Sequence, residues 1–403
     1  MPMTKVGVVA AALLLASCES STAAPMVSLS PTPTVASTPS ETATRFTPRP
    51  SPNSNGPVVV LYQALYDYRK YGPIIEATVA LGRVTKRTVF AKSNIELTDS
   101  TAGLALVVVP PSSGTESWTN GPPPGTVAVS SGQVTTYDLG EGTTECVKQG
   151  PFGGLILACM YAGGQTQTFY LIDVSRGTSR VVYTGPPSGT PPALGWTGAG
   201  IVISSREGAV VVDPENSQIT QLSFGGTAIS VSPSGAYIGI EANVLNANYG
   251  CSDTLTLRHY DWLSRSSGGP QATQAFIVSQ TKKDFRIVDV GDDGGVLYTA
   301  ADCVSPHSPP AATTLYYFSG GRSTRQVGLT GVYTPGWDKA ADNSHGKLLG
   351  DSVAVIGRSL TSYGATELDL VHLCFVDNCQ PQVTPIVRGD PSAADYAFSI
   401  LRS

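Results

Sequence analysis

The side chains whose types and spacing could do chemistry are few and scattered. Ser279 and Lys282 have the S-x-x-K spacing of a serine nucleophile with a nearby lysine, but no K-T-G follows and the segment has the pattern of a strand end. No G-x-S-x-G stretch occurs. The four histidines, which include no H-x-x-x-H pair that could hold a metal, are His259, His307, His345 and His372. We therefore expect no recognisable catalytic residue, no metal and no cofactor.

Two groups of carboxylates are candidates for acid–base chemistry. Asp338 and Asp342 lie in a long loop, where solvated charges are the more ordinary interpretation. Asp292-Asp293, followed by Gly294-Gly295, is similar to the Asp-box turn of sialidase-like propellers, and that box is structural in its family. Neither group predicts a catalytic centre.

The seven cysteines divide into one near the start of the chain and six further along. An even number of later cysteines in an exported chain suggests disulfides, and the absence of C-x-x-C argues against a zinc or thioredoxin-type site. These six are Cys146, Cys159, Cys251, Cys303, Cys374 and Cys379.

The first cysteine, Cys18, follows an apolar stretch near the start of the chain. Lys5 is followed by the apolar stretch Val6 to Leu15, which has the length of a signal peptide and is too short to span a bilayer as a helix. The sequence Leu15-Ala16-Ser17-Cys18 resembles the lipobox of bacterial lipoproteins. That resemblance implies removal of residues 1–17, acylation of Cys18 with chains such as palmitate, and anchoring at the extracytoplasmic face of the cell membrane. The alternative is an ordinary signal peptide with a stray cysteine.

Residues 18–56 are dominated by Ser, Thr, Pro and Ala and carry few charges. Such a segment cannot bury enough apolar surface to offset the entropy of ordering it, so we expect a disordered tether. The remaining residues, 57–403, are long enough for one large domain. The formal net charge of −5 argues against a nucleic-acid surface.

Apolar runs that restart after glycine predict seven buried strands in residues 57–403. They are residues 57–65, 102–109, 153–161, 198–205, 235–243, 294–302 and 350–357. A second strand follows each run and often ends in an acidic turn, for which the candidates are Asp138, Asp173, Asp213 and Asp261; exposed third strands come next, as in residues 178–185. A spacing of about 50 residues favours an all-β propeller of seven four-stranded blades. Six or eight blades also fit, and a pair of β-sandwiches is the alternative.

One stretch, AISVSPSGAYIGIEA (228–242), resembles the repeat of TolB-type and WD-like bacterial propellers. In that family a Ser-Pro-Asp-Gly turn joins two strands; Ser232, Pro233 and Gly235 match it, and Ser234 replaces the Asp. Residues 288–300 are a looser copy. The resemblance implies the propeller architecture and a scaffolding or binding role in the cell envelope.

The longer insertions all fall on one predicted face of such a propeller, in residues 110–125, 243–253, 302–312, 329–346 and 358–366. Because loops on a rigid scaffold commonly carry function, we expect a binding face there. Its candidate residues are Trp118, Tyr249, His307, Trp337 and Tyr363. The alternative is that these aromatic side chains only pin the loops down.

The same placement predicts three sequential disulfides among the fifteen pairings that six cysteines allow. Cys251 and Cys303 fall in equivalent loops of adjacent blades, Cys146 and Cys159 bracket the entry to a blade, and Cys374 and Cys379 flank a hairpin turn. The sequence therefore predicts a lipid-anchored, monomeric binding or scaffold module for a protein, peptide or glycan. The alternative is a propeller-type hydrolase, lyase or quinoprotein, because catalytic groups from different blades leave no local signature.

Overall fold

The computed structural model describes most of the chain from Gly56 to Leu401. The described residues are 56–67, 70–91, 95–101, 104–108, 126–129, 134–137, 139, 143–149, 154–161, 166–186, 194–197, 199–205, 208–224, 226–243, 251–266, 269–303, 314–319, 324–327, 346–350, 352–361, 364–373, 381–390, 392–393 and 395–401. Residues 1–55, which include Cys18 and all but the last residue of the predicted tether, lie outside them. In the described part, no helix is long and apolar enough to cross a membrane.

The described residues include twenty-eight strands and the turns between many of them. In chain order they are β1 (Val58–Asp67), β2 (Lys70–Ala80), β3 (Arg83–Phe90), β4 (Glu96–Thr101), β5 (Leu104–Val108), β6 (Thr126–Val129), β7 (Val134–Thr136), β8 (Thr143–Gln149), β9 (Leu155–Tyr161), β10 (Gln167–Asp173), β11 (Thr178–Gly185), β12 (Leu194–Thr197), β13 (Gly200–Ser205), β14 (Gly208–Val212), β15 (Ile219–Ser223), β16 (Thr227–Val231), β17 (Tyr237–Ala242), β18 (Thr254–Ser266), β19 (Gly269–Ser279), β20 (Lys283–Val290), β21 (Val296–Asp302), β22 (Thr314–Phe318), β23 (Thr324–Gln326), β24 (Gly346–Leu349), β25 (Val353–Thr361), β26 (Gly364–His372), β27 (Gln382–Asp390) and β28 (Asp395–Leu401).

These strands form seven antiparallel sheets of four strands each, which we number as blades 1 to 7. Blades 2 to 7 each use four consecutive strands, from β4–β7 through β24–β27. The first strand of a blade contacts the first strands of its neighbours, as β20 does with β16 and β24, so the first strands are innermost. The fourth strands are the outer edges.

The packing between blades shows that the seven sheets form a closed ring. A separate apolar cluster lies between each blade and the next, including one between blades 7 and 1. Residues on one strand alternate between two clusters, because successive side chains point to opposite faces of a sheet. In β25, Val353 and Val355 pack towards blade 1, whereas Ala354 and Ile356 pack towards blade 6. The central strands are therefore largely apolar on both faces, as the sequence pattern predicted.

Blade 1 closes the ring by combining both ends of the described chain. Its strand order is β28-β1-β2-β3, so the last strand becomes the innermost one. β28 pairs antiparallel with β1 from Val59↔Leu401 to Leu65↔Asp395. Tyr396, Phe398 and Ile400 join the cluster shared with blade 7. No sheet in the ring is left with three strands, since the C-terminal segment supplies the missing one.

The all-β propeller with four-stranded blades is confirmed, and the sandwich alternative is wrong. All seven predicted buried strands are present, and each is the second strand of its blade, from β1 in blade 1 to β25 in blade 7. Asp173 and Asp213 do cap turns after third strands: Asp173 accepts the N–H of Arg176 and Asp213 that of Glu215.

Two details of the predicted pattern are wrong, and the turn expected at Asp138 lies outside the described residues. Asp261 lies inside β18 instead of ending it. Residues 358–366, expected to be a loop, are mostly strand, because β25 and β26 extend to a connection at 362–363. In both cases local polarity suggested a turn, but pairing with a long neighbouring strand kept the backbone extended.

The turn between the first and second strands of blade 5 has the geometry that its resemblance implied. Ser232 Oγ accepts the N–H of Tyr237 at 3.1 Å, and Ser234 Oγ accepts that of Ala236 at 3.3 Å. Gly235 has φ +72°, a conformation that favours glycine. In the corresponding turn of blade 6, Asp293 Oδ1 accepts the N–H of Gly295 at 2.9 Å. Ser234 therefore takes the position of the family's Asp, and the Asp-box-like stretch is this same turn.

Candidate binding face

The connections between strands are much longer on one face of the propeller than on the other. Antiparallel order places second-to-third and blade-to-blade connections on one face, which we call the loop face. The opposite turn face carries the first-to-second and third-to-fourth connections. The four longest connections all belong to the loop face: 109–125, 243–253, 303–313 and 327–345. This is the asymmetry that the sequence predicted.

The proposed aromatic residues of this face lie outside the described residues. Trp118, Tyr249, His307 and Trp337 fall within the four long connections, and Tyr363 lies at the β25–β26 connection. The described strands that flank these connections end at the loop face. Their role in binding stays a prediction.

A disulfide joins two of the long connections where they meet the blades. Cys251 and Cys303 are bonded, with their Cα atoms 5.9 Å apart, as the sequence predicted. Cys251 precedes β18 in blade 5, and Cys303 follows β21 in blade 6. The backbone N–H of Cys303 also donates to Lys282 O at 2.8 Å. The bond therefore fixes the base of connection 243–253 to that of connection 303–313.

A partly buried ionic cluster lies beside this disulfide. Glu241, at the end of β17, accepts the backbone N–H of Ile287 through Oε1 at 2.6 Å and is paired through Oε2 with Arg286 at 3.2 Å. Arg286 also pairs with Asp284 at 3.1 Å. Asp284 in turn accepts the N–H of Ser252, next to Cys251, at 2.8 Å. Glu241 and Ser252 belong to blade 5, and their partners belong to β20 in blade 6. These contacts therefore join the two blades.

The electrostatics of the cluster show the cost of burying it. Burial raises the pKa of Glu241, and the positive charge of Arg286 and the N–H of Ile287 offset that rise only in part. Burial alone would lower the pKa of Arg286, but the charges of Glu241 and Asp284 outweigh it and raise the pKa. Each charged group here has a protein partner, so the cluster joins the bases of the two connections across blades 5 and 6.

Two aspartates on inner strands connect three blades each. Asp289 of β20 accepts from Ser230 in blade 5 at 3.4 Å and from the N–H of Leu348 in blade 7 at 2.7 Å. Asp99 of β4 accepts from Ser399 in blade 1 at 2.8 Å and from the N–H of Gln149 in blade 3 at 3.0 Å.

The surroundings of Asp99 favour its charged form. Burial would raise its pKa, but the charges of Lys148 and Lys347, the N–H of Gln149 and the hydroxyl of Ser399 together lower it. Lys148 and Lys347 each directly precede the residue whose N–H an aspartate accepts, so the arrangement is repeated in blades 3 and 7. Hydrogen bonds to these two aspartates thus join the inner strands of blades 1 to 3 and of blades 5 to 7.

The described residues among those considered for catalysis form no common site. Ser279 is the last residue of β19, and Lys282 lies in the turn that follows. The segment is therefore the strand end that its sequence pattern predicted. His259 and His372 lie in β18 and β26, and His259 packs against Tyr237 with ring centroids 4.9 Å apart. His307, His345, Asp338 and Asp342 lie outside the described residues. Across the described ranges, no group of three or more His, Cys, Asp or Glu side chains could hold a metal ion.

The second predicted disulfide is also present. Cys146 of β8 and Cys159 of β9 are directly opposite in the strand register and are bonded. This bond lies within blade 3 and therefore does not connect blades. Cys374 and Cys379 fall in the connection from β26 to β27, outside the described residues, so their pairing stays a prediction.

Sequence reasoning missed Glu241, Arg286, Asp99 and Asp289. A faint signal existed for Glu241 and Asp289, because each is an acid inside an apolar strand, and a charge there requires a partner. Their partners could not be read from the sequence, since Arg286 is 45 residues from Glu241 and Leu348 is 59 from Asp289.

Comparison with known proteins shows the fold and no family. No family model matches the chain, and no curated protein sequence matches it. An oligogalacturonate lyase in complex with manganese is similar in structure, with a TM-score of 0.51 and 10% identity over 80% of this chain and 95% of that one. TolB from Acinetobacter baumannii is similar with a TM-score of 0.43 and 10% identity over 85% of this chain and 66% of that one. A putative 6-phosphogluconolactonase from Bacteroides fragilis has a TM-score of 0.46 and 13% identity over 86% of this chain and 99% of that one.

Proposed function

We propose that this protein is a lipid-anchored extracytoplasmic binding module that holds a protein, peptide or glycan on its loop face. The observation that carries the proposal is the asymmetry of the connections. The four longest, 109–125, 243–253, 303–313 and 327–345, all leave the same face. Long loops on a rigid scaffold are a common way to build a binding surface.

The bases of two of these loops are fixed by a disulfide and by ionic contacts. They are joined by the Cys251–Cys303 disulfide, and the cluster of Glu241, Arg286 and Asp284 lies beside it. A fixed base reduces the conformational entropy that a loop loses on binding, which favours affinity. The aromatic residues proposed for the surface, Trp118 and Trp337 among them, would supply apolar contact area at a low cost in side-chain entropy.

Photo-crosslinking in intact cells tests the loop face. A photoreactive amino acid replaces Trp118 or Trp337, and the matched control replaces Leu81, which is fully exposed in the turn between β2 and β3 on the turn face. We expect a discrete adduct with a protein, peptide or glycan from positions 118 and 337 and none from position 81. Equal labelling from all three positions contradicts the proposal, as does conversion of a captured glycan to a shorter product.

The anchor is tested separately. The wild-type chain should incorporate a labelled fatty acid and sediment with membranes, and Cys18→Ala should do neither. Cys303→Ala is the matched control, because it removes a cysteine but should leave the acylation unchanged. A Cys18→Ala variant that still carries label, or a wild-type chain without label, contradicts the lipoprotein assignment.

A further inference from the structure

The outer edges of the seven blades are protected to different degrees. An exposed edge strand presents unpaired N–H and C=O groups to any other strand, and proteins normally blunt it with charges, proline or a short length. Among the described outer strands, β7 and β23 have three residues and β15 has five. β3 carries Arg83, Lys86 and Arg87, β11 carries Arg180, and β27 carries Pro385 and Arg388.

β19, the outer strand of blade 5, has none of these protections along its length. It runs for 11 residues, Gly269–Ser279, and its only proline is Pro270 beside one end. Its sequence, GPQATQAFIVS, contains no charged residue. Residues 271–275 are exposed, and Ile277 is 49% exposed. It has a bulge at Ala275, but β3, β11 and β27 also have bulges, so the bulge does not replace the missing charges.

We propose that β19 is an interface for a second copy of this chain, formed by antiparallel pairing of β19 with the partner's β19. In a two-fold antiparallel pair, each residue faces a residue of the identical strand, so a charged strand meets its own charges. β3 would bring three positive side chains against three more. β19 pairs with itself without such repulsion and contributes Thr273, Ile277 and Val278, which are residue types that strands favour.

The contact is weak in solution. Each hydrogen bond formed at the edge replaces a bond to water, so it contributes only about 0.5–1.5 kcal/mol. A single pair of edge strands also buries less than the roughly 1,200–2,000 Å² of a stable interface. The dimer is therefore concentration-dependent, and the monomer expected from the sequence is its dilute form. The proposal does not depend on what the loop face binds.

Sedimentation velocity of the full chain in a non-ionic detergent tests the proposal. We expect the weight-average sedimentation coefficient to rise with concentration. Thr273→Lys should weaken association at least about tenfold, because it adds a positive charge to each of the two strands that pair. Thr220→Lys, at an exposed threonine of the short edge strand β15, is the matched control and should leave association unchanged. Far-ultraviolet circular dichroism checks that both variants are folded.

Cysteine cross-linking locates the two-fold axis. Single cysteines placed along residues 271–279 should give a disulfide-linked dimer at a few positions, because facing Cα atoms in an antiparallel pair are about 4.5–5.5 Å apart. Thr220→Cys should give no dimer. A wild-type chain that stays monomeric at every concentration overturns the proposal. Equal effects of Thr220→Lys and Thr273→Lys on association, or no cross-linked dimer from any position in 271–279, also overturn it.

Discussion

Gln63 and Glu241 occupy equivalent positions in blades 1 and 5. Oε1 of each accepts the backbone N–H of an inner-strand residue in the next blade, from Leu97 at 2.8 Å and from Ile287 at 2.6 Å. Both donors lie two residues before an aspartate that bridges three blades. Gln63 also donates through Nε2 to Ile95 O at 2.9 Å, whereas Glu241 pairs with Arg286 instead. The same inter-blade contact is thus made once by a neutral side chain and once by an acid.

This equivalence predicts that Glu241→Gln keeps the contact with Ile287. Glu241→Ala leaves the buried N–H of Ile287 without that acceptor, and we expect it to lower the free energy of unfolding by about 1–3 kcal/mol relative to Glu241→Gln. Urea denaturation of the two variants measures the difference. Gln63→Ala is the parallel test in blade 1. Equal stability of Glu241→Ala and Glu241→Gln contradicts the assigned bond.

The stability of the wild type relative to Glu241→Gln should depend on pH. Burial raises the pKa of Glu241 in the folded state, so folding favours the protonated form. The contribution of this shift to the wild type's free energy of unfolding is therefore fully present below the ordinary glutamate pKa. It is lost as the pH rises through the raised pKa of the folded state. Denaturation at a series of pH values measures this slope, and a flat difference between the two proteins contradicts it.

Asp99→Asn should have the opposite pH dependence. The pKa of Asp99 is lowered in the folded state, so its charged form stabilises the fold above the ordinary aspartate pKa. We expect Asp99→Asn to be less stable than the wild type at neutral pH, with a difference that disappears as the pH falls through the lowered value. Asp261→Asn, at an exposed position of β18, is the control and should change stability little. A deficit of Asp99→Asn that persists in acid would falsify the assignment.

The two observed disulfides should differ in what they contribute. Cys251 and Cys303 are 52 residues apart, and Cys146 and Cys159 are 13 apart. The longer closed loop restricts the unfolded chain more. In the chain-entropy model this makes its disulfide more stabilising by roughly 1 kcal/mol. Replacing Cys251 and Cys303 by serine should therefore destabilise more than the same change at Cys146 and Cys159. Calorimetric unfolding of both double variants decides the order, and the reverse order contradicts it.

Gly235→Ala should be far more damaging than Gly177→Ala. Both glycines have positive φ, of +72° and +64°. A Cβ at Gly235 would overlap the backbone oxygen of Trp196 in blade 4, whereas one at Gly177 meets nothing within 4 Å. Gly177→Ala carries only the backbone cost, on the order of 1–2 kcal/mol. Thermal unfolding compares the two, and similar losses would mean that the close approach of blades 4 and 5 at this turn is not required.

The sequence alone determined the repeating unit of this protein. Apolar runs such as 198–205 and 350–357 are buried whichever blade they belong to, because a central strand lies between two neighbours. The turn at Ser232–Gly235 could be recognised because its residues are consecutive. Even the Cys251–Cys303 bond could be predicted, since the repeat places both cysteines in equivalent connections.

Only the tertiary structure decided how the blades are joined to one another. Glu241 contacts Arg286, and Asp99 contacts Ser399, 300 residues away, because ring closure brings β28 beside β4. The sequence Tyr237–Ala242 contains an acid within a buried strand, but it does not indicate which residue pairs with that acid. The physical reason is that strand burial follows from residues next to each other in the chain. The pairing of polar groups across blades follows from the angle and register at which separate sheets meet.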